Sequence, residues 1–160
     1  MTDVLTEKND SILVLDRIQD PGNMGTLIRT AAGAGIDGIV VLKGCVDIYN
    51  LKVLRATMGA VFSIPIITRL EKDLFREKIV AGDYYLVCTD IAGEKYYYEV
   101  TYRQPTVFVI GNEAQGIAED LLALASCRVK IPMAGEIDSL NAAVSGGIVL
   151  YDYLRKVKQH

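Results

Sequence analysis

Histidine is almost missing from this chain. The only one among 160 residues is the last, His160, where fraying is expected. Ser-His-Asp and Cys-His catalysis and most zinc sites are thereby excluded together; proton transfer must use other groups, and no metal is expected. Cysteine is also sparse: Cys45, Cys88 and Cys127 are odd in number and form no CxxC pair. Each lies in or beside an apolar segment, so buried free thiols in a reducing cytoplasm are expected. No apolar run is long enough to cross a bilayer, and the opening MTDVLTEKND is polar and acidic, unlike a signal peptide. Basic charge is short too. The 17 Lys and Arg against 20 Asp and Glu leave a net charge of −3, which argues against a strongly basic nucleic-acid binder but not against a local basic patch.

What remains is a chain that is 51% hydrophobic, enough for one sizeable core over residues 1–160. ILVLD (12–16) and GIVVL (38–42) are continuous apolar strands of the kind buried on both faces. SIPIIT (63–68), YYLVCTD (84–90), TVFVIG (106–111) and CRVKIP (127–132) complete six strands. Between them, helices are expected over 24–34 with Asn23 as cap, over 50–59, over 71–81 with its apolar residues at helical spacing, within 113–125, and from about Ser139 to Val157. Strand and helix alternate throughout. The fold class is therefore α/β: a mostly parallel six-stranded sheet with helices on both faces. Only eleven residues precede the first core strand, so no separate substrate-binding domain is expected there, and the chain reads as a minimal enzyme or the catalytic piece of a longer one.

Residues 33–38 match GxGxxG, but they follow a helix and lead into a strand, the reverse of a dinucleotide site; Gly35 is better read as a helix C-cap. No lysine follows a GxxxxG, so there is no P-loop. Three strand-to-helix loops do have the polarity of ligand sites, Asp20–Asn23, Gly111–Gly116 and Pro132–Asn141, because ligands gather beyond the carboxyl ends of parallel strands. They and the adjoining helix offer Asn23, Arg29, Asn112, Glu113, Ser139 and Asn141. Singly, each has a plain structural role: Asn23, Ser139 (or Asp138) and Asn141 as helix caps, Arg29 as a snorkelling surface cation, Glu113 as a carboxylate favoured at a helix N-terminus. Small residues, Ala142, Ala143, Ser145, Gly146 and Gly147, open the last helix and permit close approach of another backbone or a flat ligand.

NMGTLIRTAAGAG, VIGNEAQG and KIPMAGEIDSLNAAVSGG, in this order and spacing, resemble the three motifs of the SpoU (TrmH) family of the SPOUT superfamily, and RATMGA (55–60) resembles a companion segment of rRNA-type catalytic domains. The resemblance covers nearly the whole chain. It implies an RNA ribose 2′-O-methyltransferase that uses S-adenosylmethionine and yields S-adenosylhomocysteine, acting as a cytoplasmic homodimer, with a C-terminal deep trefoil knot that the usual rule against threading would not suggest. The implied cofactor residues are Thr89, Gly111, Asn112, Glu113, Gly116, Ile131, Pro132, Met133, Ser139 and Leu140. The implied catalytic set is Arg29 with Asn23, Glu113, Ser139 and Asn141. A guanidinium keeps its proton, so Arg29 is expected to orient phosphate and ribose and to lower the hydroxyl's pKa by its charge. Arg17, Arg29, Lys52, Arg55, Arg128 and Lys130 are the cations available for RNA. Leu140, Val144, Ile148 and Tyr151 of the last helix either supply the dimer face or pack inward. Ribosomal RNA is the expected substrate, transfer RNA the alternative; a cofactor-binding RNA assembly factor with little catalysis is the reading from another class.

Overall fold

The computed structural model describes residues 4–5 and 9–158, so the expected fraying of His160 lies outside the described residues. The strands are β1 (Ser11–Asp16), β2 (Gly38–Leu42), β3 (Ile66–Leu70), β4 (Tyr85–Thr89), β5 (Lys95–Tyr96), β6 (Thr106–Gly111) and β7 (Cys127–Lys130). They form one sheet in the order β3-β2-β1-β6-β4-β7-β5, and each neighbouring pair is parallel. Among the described residues the sheet thus has seven strands, not six. The additional one, β5, is two residues of the tyrosine-rich segment, with no apolar run to mark it; pairing of Lys95 with Val129 and Tyr96 with Lys130 creates it.

The helices are α1 (Pro21–Gly33), α2 (Leu51–Thr57), α3 (Lys72–Ala81), α4 (Glu119–Leu122) and α5 (Ala142–Tyr153), the last continuing in a π turn, Leu154–Lys158. Alternate strand residues point to opposite faces. Leu13, Leu15, Ile39, Val41, Phe108 and Ile110 pack with Leu27 and Ile28 of α1, Val53 of α2 and Leu150 of α5. Ile12, Val14, Val40, Val107 and Val109 pack with Phe75 and Ile79 of α3 and Leu121 of α4. Helices on both faces follow directly from central strands that carry apolar residues on both faces.

Several boundaries differ from the sequence expectation, each for a local reason. α1 starts at Pro21, because Asp20 is its cap: the Asp20 carboxylate accepts from the Asn23 N–H at 2.7 Å, and proline at the first position has no N–H to lose. Asn23 is therefore inside the helix, its side chain freed for other contacts. At the other end Gly35, at φ 69, takes the left-handed position; its N–H bonds Ala32 and that of Ile36 bonds Ala31, a Schellman close. β3 begins after Pro65, which cannot donate to a ladder. The helix within 113–125 shrinks to four residues, because 112–116 closes on itself as a turn. α5 begins at Ala142 and is capped by Asn141, not by Asp138 or Ser139.

A Cβ on Gly25 would stand 2.4 Å from Ala56 Cβ, and one on Gly146 2.5 Å from Leu27 Cδ2; α2 and α5 both press on α1 where it or they have no side chain. Cys88 and Cys127 are buried and Cys45 is half-buried rather than buried; all three are free. Burial pushes the Cys45 thiol up to about 11 and that of Cys88 to about 12. Among the described residues no helix is long and apolar enough to cross a membrane.

Candidate functional site

Beyond the carboxyl ends of β4, β6 and β7 lies a cavity of about 610 Å³, within the range of small-molecule sites, roughly 300–1,000 Å³. Thr89 ends β4 at its rim. Gly111, Asn112, Glu113 and Gly116 form one wall, and Ile131, Pro132, Met133, Ser139 and Leu140 the facing one. All ten residues named for the cofactor are thus brought to one cavity. Ile110, Ile117, Leu122 and Val129 give it apolar surface, while Asp90, Tyr96 and Lys130 add polar groups that the sequence reading had not assigned to it. No cluster of three or more metal-ligating side chains occurs among the described residues.

The first wall is built by its own residues. Asn112 and Gly116 exchange backbone bonds at 3.1 and 2.9 Å. The Asn112 amide oxygen accepts from the N–H groups of Ala114 and Gln115, and its nitrogen donates to the Arg17 carbonyl at 2.8 Å. A Cβ on Gly111 would lie 2.3 Å from the Ile117 nitrogen and 2.4 Å from the Gly116 carbonyl carbon. Glycine is required there because the loop folds back on the strand. Arg17, held at φ 55, pairs with buried Asp16 at 3.2 Å and donates to Gln115 Oε1 and the Gly116 carbonyl. Asp16 also accepts from the Ala118 N–H at 2.9 Å. This arginine, a candidate for RNA from its charge, braces the loop.

Glu113 reaches from that wall to α1. Its carboxylate accepts from the N–H groups of Gln19 and Asp20 and from the Asn23 amide at 3.4, 3.1 and 3.3 Å. Burial opposes its ionisation, but its own N–H and these three donors outweigh that and hold its pKa below the ordinary value. The Asn23 oxygen in turn accepts from Asn141 at 2.8 Å, and the Asn141 oxygen caps α5 through the N–H groups of Ala143 and Val144. Glu113, Asn23 and Asn141, one from each motif, therefore form a continuous chain. Ser139 and Arg29 are not in it: Ser139 lies on the cavity wall and Arg29 is exposed on α1. Lys52 and Arg55 are exposed on α2. Arg128 pairs with Asp90 at 2.5 Å and Lys130 stands 4.9 Å over the Tyr96 ring. Sequence reasoning missed Asp20, although Asp before Pro-Gly is a cap signal; for the Asp16–Arg17–Gln115 brace, assembled across about a hundred residues of chain, it had none.

A family model described as the SpoU rRNA Methylase family matches residues 10–151. The chain belongs to the SpoU rRNA methylase family. Among its relatives, the 23S rRNA (guanosine(2553)-2′-O)-methyltransferase RlmP of Bacillus subtilis is 34% identical over 140 residues, 88% of this chain and 56% of that protein. The SpoU methyltransferase AviRb of Streptomyces viridochromogenes, solved in complex with AdoMet, superposes with a TM-score of 0.90 at 31% identity, covering 99% of this chain and 62% of the other. A structure described as giving insights into 2-OH methylation of C/U34 on tRNA reaches 0.84 at 27% identity, covering 95% and 99%. The chain spans about half the length of the curated relatives it matches.

Proposed function

We propose that this SpoU-family domain is an S-adenosylmethionine-dependent RNA methyltransferase that modifies a ribose 2′-hydroxyl, of ribosomal RNA in the first instance, in the cytoplasm. The observation that carries the reading is the Glu113–Asn23–Asn141 chain, which ties the helix bearing Arg29 to both walls of the cavity. The cavity suits the cofactor: it has apolar side chains for a flat heterocycle, and among the described residues no hydrogen bond engages 132–140, so backbone groups of that wall remain for a ligand. Backbone contacts at Gly111, Ile131 and Leu140 would hold the adenosine part. When bound, the cofactor supplies an activated methyl on a good leaving group, which leaves the protein to position and deprotonate a weak nucleophile.

Arg29 orients the ribose and its phosphate and stabilises the developing alkoxide by charge, the proton leaving to solvent. Glu113 is not the base, since its oxygens already accept from three donors and its pKa is lowered; it fixes Asn23 and the entry to α1. Ser139 contacts cofactor or ribose from the opposite wall. The C-terminal segment is threaded as a trefoil knot, which the insertion of β7 between β4 and the earlier β5 supports. Two copies pair through α5 and the residue before its cap: Val144 and Tyr151 of α5 are 50% and 48% exposed and Leu140 37%, while Ile148 is half-buried.

Calorimetric titration with S-adenosylmethionine and S-adenosylhomocysteine is expected to give saturable binding of about one ligand per subunit, and with S-adenosylmethionine as donor the chain should transfer methyl to unmodified total RNA. Arg29→Ala should lower turnover by about 10²- to 10³-fold with cofactor affinity unchanged. A folded chain that binds no cofactor overturns the proposal; cofactor and RNA binding without transfer would favour an assembly factor. The tRNA reading is favoured by the relative of nearly equal length, and separate assays on ribosomal and transfer RNA decide between them.

A further inference from the structure

The longest stretch of this sequence without a carboxylate lies between Asp47 and Glu71, and it carries Lys52, Arg55 and Arg69 in a protein of net charge −3. The same stretch holds apolar side chains that do not enter the core. Tyr49 is 67% exposed, Leu51 68%, Met58 72% and Phe62 90%. Leu51, Arg55 and Met58 recur at i, i+4 and i+7, one face of α2, opposite buried Val53 and Thr57. Met58 at φ 50 and Gly59 at φ 85 then turn the chain into the short 3₁₀ segment Ala60–Phe62. The outward surface therefore mixes rings, a thioether and cations, with exposed Asp47 at its edge, where its carboxylate accepts from the Tyr49 N–H at 3.0 Å.

This surface adjoins the site. α2 crosses α1 at Gly25, where Ala56 packs. Arg29 stands one turn beyond Gly25, and residues four apart share a helix face, so it leans toward α2. Arg29, Lys52 and Arg55 have no ion-pair partner among the described residues. A contiguous exposed apolar patch marks an interaction surface. Rings interleaved with cations match unpaired nucleotides, whose bases stack and whose phosphates take the charge.

We propose that the outer face of α2 and the turn after it is the docking surface for unpaired nucleotides of the RNA: Tyr49 and Phe62 stack on bases, Lys52 and Arg55 meet the adjoining phosphates, and the strand is delivered to Arg29. The proposal rests on the RNA methyltransferase reading.

The test is fluorescence anisotropy of the full chain with a labelled single-stranded oligoribonucleotide and its duplex, alongside S-adenosylhomocysteine titration. Phe62→Ala and Tyr49→Ala should each weaken single-strand binding by about fivefold or more, with duplex binding changed less. Lys52→Gln and Arg55→Gln should weaken both and reduce the slope of log affinity against log salt by about 0.7 per cation removed. Cofactor affinity should be unchanged in all four, which also shows that they fold. Unaltered single-strand affinity in both ring variants overturns the proposal. So does a dimer, seen by sedimentation, that Phe62→Ala converts to monomer, since the face then joins two copies of the chain. RNA methylation that persists unchanged in Phe62→Ala overturns this surface and leaves the activity standing; single-strand binding that needs Phe62 without methyl transfer supports the surface and overturns the activity.

Discussion

The two walls of the cavity are made differently. The 111–118 wall is bonded to itself, to β1 and to α1 through Asn112, Arg17, Asp16 and Glu113. The 131–140 wall is largely exposed, and residues 132–140 make no hydrogen bond among the described residues. One wall holds its shape without a ligand, at the cost of having its polar groups already used. The other keeps its polar groups for a ligand and depends on its ends, β7 and the Asn141 cap. Stability and binding capacity are divided between the walls, because a buried donor or acceptor already satisfied has little to offer a second partner.

Substitutions that treat the walls alike should separate them. Gly111→Ala puts a methyl into backbone atoms that cannot move aside, so about 1–3 kcal/mol of stability should be lost, together with cofactor binding; urea unfolding and calorimetry read the two. Glu113→Ala leaves the N–H groups of Gln19 and Asp20 and the Asn23 amide without their acceptor. The site is partly exposed, so about 1 kcal/mol is expected, with a fall in turnover larger than the fall in cofactor affinity.

A pH titration sharpens the same point. The Glu113 pKa is lowered in the fold, so its contribution is complete above the ordinary carboxylate value, about 4.3, and is lost as pH falls through the lower folded value. Thermal unfolding between about pH 5 and 3 should show a shallower acid limb in Glu113→Gln than in wild type. Gly135→Ala, on the open wall, should have the smallest effect: an added Cβ meets nothing within 4 Å, and stability should change by less than about 1 kcal/mol. A large loss there would show that the 131–140 segment is as tightly specified as its counterpart.

The sequence was readable where one physical rule acted alone. Apolar runs such as ILVLD and TVFVIG became buried parallel strands, and Gly35 closed its helix as the reversed GxGxxG context required. Reading failed where two rules competed locally. Asp20 and Asn23 are both good caps, and Pro21 between them favours Asp20; Asp138, Ser139 and Asn141 are all good caps, and only the bond from Asn141 to Asn23 selects the last. EAQGIAEDLLALA has helical composition, yet Gly116 at φ 70 and the self-bonding of Asn112 make half of it a turn. The bonds from Arg17 to a loop about a hundred residues away had no local signal at all.

By itself the sequence determined the alternation of elements, the two-faced core and the identity of the loops that meet at the carboxyl edge, because periodicity and turn chemistry are local. The tertiary structure alone decided the seventh strand, the partners of Glu113 and Arg17, and which cations remain for a ligand. Those depend on contacts between residues distant in the chain, which no local pattern encodes.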